Sequence, residues 1–287
     1  MSNKNLKLNT YAENTWCPGC GNFGILAALK EVISSLVEKG LPKENIVVVS
    51  GIGCSSKIID YLNLNTFSSL HGRPIVSAEG IKAGNPNLKV IVCAGDGGIY
   101  NEGISHLVHA AKRNTDITVL VHNNRNFALT AGQFTATSPK GFKGKSTPDG
   151  SIERPLNPLK LMLASNATFI ARGYSAKINH LKDLIIKGVE HKGFSFIDIL
   201  QPCVSFFNTY QLYNEKVYEE KNENLTSEKE ALKKAGEWNY GKDNSKIPIG
   251  IFYEIQRPVY EKELLGNLIP AKRTKKVDFK KVLEELK

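Results

Sequence analysis

No stretch of the 287-residue sequence approaches the ~18 consecutive apolar residues that a membrane-spanning helix needs. Residues 1–14 are polar and mixed in charge, without the apolar h-region of a secretory signal, so neither a membrane partner nor export is expected. Low-complexity tracts and repeats of fixed period are also missing, which excludes solenoid and fibrous architectures. There is no even set of cysteines. The five present, Cys17, Cys20, Cys54, Cys93 and Cys203, argue against a disulfide framework in a chain expected to be soluble and cytoplasmic. Nor is there a basic helix interleaved with aromatics. The 38 Lys and Arg outnumber the 28 Asp and Glu, a net charge of +10, but they are spread out with only small clusters such as Lys272-Arg273 and Lys275-Lys276. Surface solvation explains that distribution, and a nucleic-acid partner is not expected.

The chain does have enough apolar residues, 41%, for one large core. Short apolar runs at 46–50, 89–94 and 117–121 end in Gly51-Ile52-Gly53, Gly95-Asp96-Gly97 and His122-Asn123-Asn124. They are apolar throughout rather than alternating, as strands covered on both faces should be. Two more strands are expected at 168–172 and 194–200. Between them lie helical patterns at 23–38, closed by Gly40 and Pro42, at 102–113 behind Asn101 as N-cap, and at 177–190. This alternation predicts an α/β fold: a doubly wound, mostly parallel sheet with helices on both faces. Ligands of such sheets bind beyond the carboxyl ends of the strands, where the Gly-, Asp- and Asn-rich turns fall. Residues 128–158 read as a long functional or mobile loop. From Asn208 the chain turns strongly charged. It reads as an extended tail with short helices, one near 279–286, that packs on a partner subunit, giving domains 1–207 and 208–287.

Residues 90–124 carry the strongest local signal. A magnesium diphosphate needs octahedral oxygen ligands and backbone N–H groups close to its phosphates. Gly95 and Gly97 allow that approach. Asp96 places a carboxylate at one strand end, and Asn124, 28 positions later (124 minus 96), places an amide oxygen at the next. One helical crossover separates them, so the two can converge on one cation. The alternative is two ordinary turns. Trp16-Cys17-Pro18-Gly19-Cys20-Gly21 forms a Cys-x-x-Cys turn, and Cys54 and Cys203 lie at ends of the first and last expected strands, on the same ligand side. Four thiolates there suit tetrahedral zinc or a [4Fe–4S] cluster, although no second close pair favours zinc. Cys93, inside an apolar strand, reads as a small buried hydrophobe.

Taken in order, these pieces resemble the β subunit of 2-oxoacid:ferredoxin oxidoreductases. To the motifs above the resemblance adds Ser50-Gly51-Ile52-Gly53-Cys54-Ser55-Ser56, Leu70-His71-Gly72-Arg73, Gly80-Ile81-Lys82-Ala83-Gly84-Asn85-Pro86, Asn123-Asn124-Arg125, Leu129-Thr130-Ala131-Gly132-Gln133 and Gln201-Pro202-Cys203. It implies a thiamine-diphosphate-binding fold. Mg²⁺ would be held by Asp96, Asn124 and the carbonyl of Asn126, and one [4Fe–4S] cluster by Cys17, Cys20, Cys54 and Cys203. Gly53, Cys54, Ser55, His71, Gly95, Asp96, Gly97, Gly98, Asn124, Asn126, Leu129 and Thr130 would line the cofactor. His71 and Thr130 would donate to the diphosphate, a satisfied core histidine being the plainer reading of His71. Lys57 would meet the substrate carboxylate, or is a surface lysine at a helix start. Gly98 stands where relatives often have an acid, and Ala131 where many carry Lys.

The implied reaction is CoA-dependent oxidative decarboxylation of a 2-oxoacid to acyl-CoA and CO₂, with electrons leaving through the cluster to ferredoxin. 2-Oxoglutarate or a broad specificity is favoured over pyruvate or branched-chain 2-oxoacids. Cofactor activation needs a glutamate and a second domain, which in this family come from an α subunit, with or without γ and δ subunits. The rival readings are a non-redox thiamine-diphosphate decarboxylase or carboligase subunit, which needs no cluster, and a basic zinc-binding interaction module, which leaves Asp96 and the Asn pair unexplained.

Overall fold

The structure is a computed structural model and describes residues 7–221, 224–241, 245–273 and 278–285. Lys275-Lys276 and the first six residues lie outside the described residues. Eight strands make one sheet: β1 (Ile46–Ser50), β2 (Asn65–Ser68), β3 (Lys89–Gly95), β4 (Thr118–Asn123), β7 (Phe169–Tyr174), β8 (Ser195–Leu200), β9 (Val217–Glu219) and β10 (Ile247–Glu254). A two-stranded ribbon, β5 (Asn126–Phe127) with β6 (Gln133–Phe134), stands apart from it. The order across the sheet is β2-β1-β3-β4-β8-β7-β10-β9. All pairings are parallel except that of β10 with β7.

The five expected strands form, and β1, β4, β7 and β8 are buried along their whole length. Alternate residues serve two cores, as the two-residue period of a strand requires. Val48, Ile91, Leu120 and Ile197 face α1 (Asn22–Glu38) and α5 (Ile178–Glu190), which bring Leu29, Val32, Leu181 and Ile185. Val49, Val92, Val119 and Phe196 face the other way. There they meet α2 (Pro74–Gly84), α3 (Ile104–Arg113), α4 (Pro158–Ala164) and α7 (Glu228–Ala235), with Ile75, Leu107, Leu159 and Ala231 among the contacts. The sheet is thus covered on both faces, as the near-continuous apolar strands require.

Two expectations need correction. Asn101 does not cap α3. A π-helical turn over Gly97–Glu102 comes first, and the helix proper starts behind Gly103. A Cβ on Gly103 would lie 2.5 Å from the carbonyl oxygen of Gly72, so only glycine lets these backbones meet. Asn101 instead accepts the Ala136 N–H at 2.9 Å. Secondly, the segment from Asn208 to Glu254 is not an extended tail. After α6 (Tyr210–Lys216) it supplies β9, α7 and β10, the last hydrogen-bonded to β7 in the main sheet. A third core of Tyr174, Leu200, Tyr213, Trp238, Tyr240, Ile247 and Ile249 closes over them. The division expected at 207/208 therefore cuts through one hydrogen-bonded and packed body. Beyond β10, α8 (Tyr260–Leu265) and α9 (Phe279–Glu285) leave Leu264, Phe279 and Leu283 exposed. No described helix is long and apolar enough to cross a membrane.

Candidate active site: a diphosphate cleft beside four cysteines

Because β1, β3, β4, β7 and β8 run parallel, their carboxyl ends share one edge, and the turns that follow them meet there. One cleft of about 490 Å³ is lined by Gly53, Cys54 and Ser55 after β1, by Gly95, Asp96, Gly97 and Gly98 after β3, and by Asn124 and Asn126 after β4. His71, Leu129 and Thr130 complete its wall, so all twelve expected cofactor-lining residues come together. Gly97 is needed for close approach: a Cβ there would stand 2.2 Å from the Phe127 ring.

Asp96 is 1% exposed. Its Oδ2 accepts hydrogen bonds from Thr135 Oγ1 at 2.5 Å and Thr137 Oγ1 at 3.0 Å, while Oδ1 is buried with no partner among the described residues. Asn124 closes an Asx turn, its Oδ1 accepting the Asn126 N–H at 3.1 Å and its backbone carbonyl the Asn126 side-chain amide at 2.8 Å. An orphaned carboxylate oxygen and an amide oxygen from adjacent strand ends, in a glycine-lined cleft, fit a hard divalent cation carrying a diphosphate. Burial, opposed by the Thr135 and Thr137 hydroxyls and reinforced by the charge of Asp198, lifts the Asp96 carboxyl from 3.8 to about 7. The folded value lies above the unfolded one. This group therefore favours the cofactor-free fold most below the unfolded value, and that contribution is lost as pH rises to about 7. A divalent cation in this cleft needs the ionised form, so its affinity should fall about tenfold per pH unit below about 7. Calorimetric titrations of the partner-assembled protein on either side of that value will read this slope; a flat profile contradicts it.

The four cysteines line a second cavity of about 710 Å³, with Lys57, Ala131, Gln201 and Phe206 in its wall. The Cys-x-x-Cys turn is closed by the Cys20 N–H donating to Cys17 O at 3.0 Å, and tied to the turn after β8 by the Gly21 N–H to Pro202 O at 3.2 Å. Trp16 Nε1 donates to Cys54 O at 2.7 Å and so joins the first two cysteine segments. Asn22 holds the turn from behind, its Oδ1 2.7 Å from Nδ1 of fully buried His122, whose ring burial keeps well below the usual histidine range, to about 3. The sulfurs have donors: Ser205 Oγ to Cys17 Sγ at 3.2 Å and Gln201 Nε2 to Cys20 Sγ at 3.6 Å. Burial chiefly raises the Cys20 thiol to about 11. The Asn22 N–H opposes this, and the charges of Cys203, Cys54 and Cys17 add to it. Four thiolates so placed repel one another until a cationic group sits among them.

Among the described residues, no three His, Cys, Asp or Glu side chains converge closely enough to chelate one ion. A single tetrahedral zinc would draw its sulfurs to within about 3.8 Å of each other, given ~2.3 Å Zn–S bonds. Four cysteines round one cavity, with hydrogen bonds to two of the sulfurs, fit a thiolate-bound metal group.

Comparison with known proteins decides the family. Residues 51–199 match the C-terminal TPP-binding domain of thiamine pyrophosphate enzymes, and residues 203–266 match the C-terminal part of the pyruvate ferredoxin oxidoreductase beta subunit. The beta subunit of 2-oxoacid:ferredoxin oxidoreductase 1 from Aeropyrum pernix is 42% identical over 252 residues, 83% of this chain and 77% of that one. The chain belongs to the 2-oxoacid:ferredoxin oxidoreductase β subunits. The 2-oxoglutarate synthase subunit KorB of Methanocaldococcus jannaschii is 34% identical, covering 87% of this chain and 90% of its own. A solved 2-oxoglutarate:ferredoxin oxidoreductase from Magnetococcus marinus, with 2-oxoglutarate, coenzyme A and succinyl-CoA bound, superposes with a TM-score of 0.85 at 29% identity, over 99% of this chain and 97% of that one.

Within this β subunit, the residues singled out from sequence fall in two neighbouring places. Lys57 is not in the diphosphate cleft; it lines the cysteine cavity and donates from Nζ to Thr15 Oγ1 at 3.0 Å. His71 sits in the cleft wall against the Glu102 carboxylate, which orients its ring, rather than in the core. Thr130 Oγ1 donates to Gln133 Oε1 at 2.7 Å at the rim. Ala131 adopts φ +80°, a left-handed backbone that disfavours a side chain. Cys93 is fully buried in β3, away from the other four.

Sequence reasoning missed Thr135 and Thr137, the donors that fix Asp96. The only signal was a Thr-Ala-Thr step inside the 128–158 loop. It also missed the buried network behind them. Thr137 Oγ1 reaches Asn123 Oδ1 at 2.9 Å, and Asn123 Nδ2 donates to Asp198 Oδ1 at 2.9 Å. Asp198 also accepts from Tyr100 at 2.8 Å and from Tyr240. Arg125, fully buried, donates to the carbonyls of Thr137 and Tyr240 and stacks over Phe207 and Trp238. The loop is thus bolted to the segment that the sequence presents as a tail.

Proposed function

We propose that this chain is the cofactor-anchoring and electron-exporting half of an enzyme that decarboxylates a 2-oxoacid oxidatively, forming acyl-CoA and CO₂ and passing electrons to ferredoxin. The observation that carries this reading is the shared wall: Cys54, Asn124, Ala128 and Leu129 line both the diphosphate cleft and the cysteine cavity. A group in one cleft then lies one side chain from a group in the other. A non-redox decarboxylase has no use for that arrangement.

Asp96, Asn124 and the Asn126 carbonyl would hold Mg²⁺, and His71 and Thr130 would meet the diphosphate. When bound, thiamine diphosphate supplies the electron sink that makes loss of CO₂ feasible. Cys17, Cys20, Cys54 and Cys203 would hold a [4Fe–4S] cluster, which exchanges single electrons. Free cysteines around such a group suit the reducing cytoplasm. Lys57, half-buried beside the shared wall, would orient the substrate carboxylate. The names of the relatives favour 2-oxoglutarate, or a broad range including it, over pyruvate alone.

Asp96 is the only carboxylate lining the cleft among the described residues. The glutamate that activates the cofactor must therefore come from an α subunit, with the exposed apolar residues of α8 and α9 available for packing on it. Supplied with Mg²⁺, thiamine diphosphate, 2-oxoglutarate and coenzyme A, the isolated chain is expected to release no CO₂ above background. The same chain assembled anaerobically with its partner should turn over. Turnover by the chain alone would sink this assignment.

A further inference from the structure

We propose that the loop over residues 139–151 is the docking platform for the electron acceptor, and that the acceptor presents carboxylates to it. This rests on the cysteine cavity being the electron exit. The loop carries Lys140, Lys143 and Lys145, all exposed, against a single acid, Asp149. None of the three lysines forms an ion pair with a described residue. Lysines elsewhere, such as Lys39, Lys177 and Lys182, are matched to Glu190, Glu219 and Glu31.

The loop is held in shape rather than left free. The Gly141 N–H donates to Ser151 O at 2.7 Å and the Ser151 N–H to Phe142 O at 2.9 Å, while Gly144 and Thr147 exchange backbone bonds at 3.3 and 3.0 Å. Buried Phe142 meets Phe207 edge-on at 5.3 Å. The loop is also pressed against the cavity. A Cβ on Gly144 would lie 2.5 Å from Gly132 O, and one on Gly132 would lie 2.7 Å from the Phe206 ring. Phe206 lines the cavity beside Ser205, which donates to Cys17 Sγ. Lys143 and Lys145 therefore flank Gly144, which abuts Gly132 behind Phe206; Phe206 follows Ser205, the donor to Cys17, and Cys17 is the most exposed of the four cysteines. Phe206, 46% exposed, gives this patch an apolar centre within a positive rim. Fixed unpaired cations beside an exposed sulfur ligand steer an acidic carrier to the place where the electron has least distance to travel. Each docking would move one electron from the cavity's metal group to the acceptor, with no bond made or broken and no proton transferred.

The test uses the enzyme assembled with its partner subunit and an oxidised ferredoxin of net negative charge as probe. Its dissociation constant is measured at low and at high salt for the wild type, for Lys140→Glu/Lys143→Glu/Lys145→Glu and for the milder Lys→Gln triple variant. At low salt the constant should rise on the order of 30-fold for the Glu variant and several-fold for the Gln variant, and both effects should shrink at high salt. Reduction of a small dye and absorbance near ~400 nm should not change. Binding unchanged within about twofold, weakening insensitive to salt, or equal loss with dye and ferredoxin overturns the proposal. Absence of that absorbance from the wild-type complex removes the reading of the cavity itself, and the platform with it.

Discussion

Replacing Asp96 by Asn is expected to abolish measurable binding of thiamine diphosphate with Mg²⁺ while leaving the fold intact. The introduced amide would keep an oxygen for the Thr135 and Thr137 hydroxyls, which donate at 2.5 and 3.0 Å. It would lose the one negative charge that the cleft's described residues offer the cation, the Asn124 and Asn126 oxygens being neutral. Losing such a buried charge partner costs about 3 kcal/mol or more, on the order of 100-fold in affinity. Without cofactor the sign reverses. Burial already works against the Asp96 carboxylate, lifting it to about 7, so the variant should melt no lower than the wild type at neutral pH. Calorimetric titration and thermal melts read the two effects separately. An affinity within a few-fold of wild type would place the cation elsewhere.

Replacing Cys54 by Ala should have the second large effect, of a different kind. It removes one of four sulfurs from the cavity but keeps the carbonyl that accepts the Trp16 indole N–H. Absorbance near ~400 nm and ferredoxin-linked turnover should fall together, turnover by on the order of 100-fold, while cofactor binding persists. Cys93→Ala is the matched control. That thiol is buried in β3 and does not line the cavity, so its loss should cost roughly 1 kcal/mol of stability and leave the absorbance alone. If Cys93→Ala bleaches the protein and Cys54→Ala does not, the ligand assignment is wrong.

The parts legible in the sequence were those where one physical requirement dominates. Strands buried on both faces read as unbroken apolar runs, and all five expected from them are in the sheet. Glycines at strand ends marked close backbone approach, and Asp96, Asn124, Cys54 and Cys203 fell at one edge because parallel strands end together. Helix starts were harder. Asn101 has the chemistry of a cap, but the π-helical turn that Gly103 permits against Gly72 delays the helix by two residues (104 minus 102), about half a turn.

The region after Asn208 resembles a tail in sequence because its buried residues are aromatic and scattered among charges. Trp238 packs on Arg125 and Arg172, Tyr240 meets Arg172 through its ring and hydroxyl, and Tyr213 meets Trp238 edge-on, contacts that no apolar run announces. Strand β10 contains Pro248 and Gly250, both poor strand residues. Gly250 adopts φ +137° and a register shift follows at Ile251, so the strand forms with a local irregularity that its sequence hides. The Asp96–Thr137–Asn123–Asp198 chain was invisible for another reason. It joins residues up to 102 positions apart (198 minus 96), and nothing in single-sequence spacing reveals such contacts.

The cleft and the cysteine cavity of this chain share one wall, across which a cofactor that collects electrons would pass them to a group that exports them. The most direct measurement is an anaerobic mixing experiment on the partner-assembled enzyme carrying thiamine diphosphate and Mg²⁺, with 2-oxoglutarate and coenzyme A but no ferredoxin. Absorbance near ~400 nm should bleach as CO₂ is released, because the electrons can leave only as far as the four-cysteine cavity. Release of CO₂ with the absorbance unchanged would show that the electrons take another route, and would contradict the account.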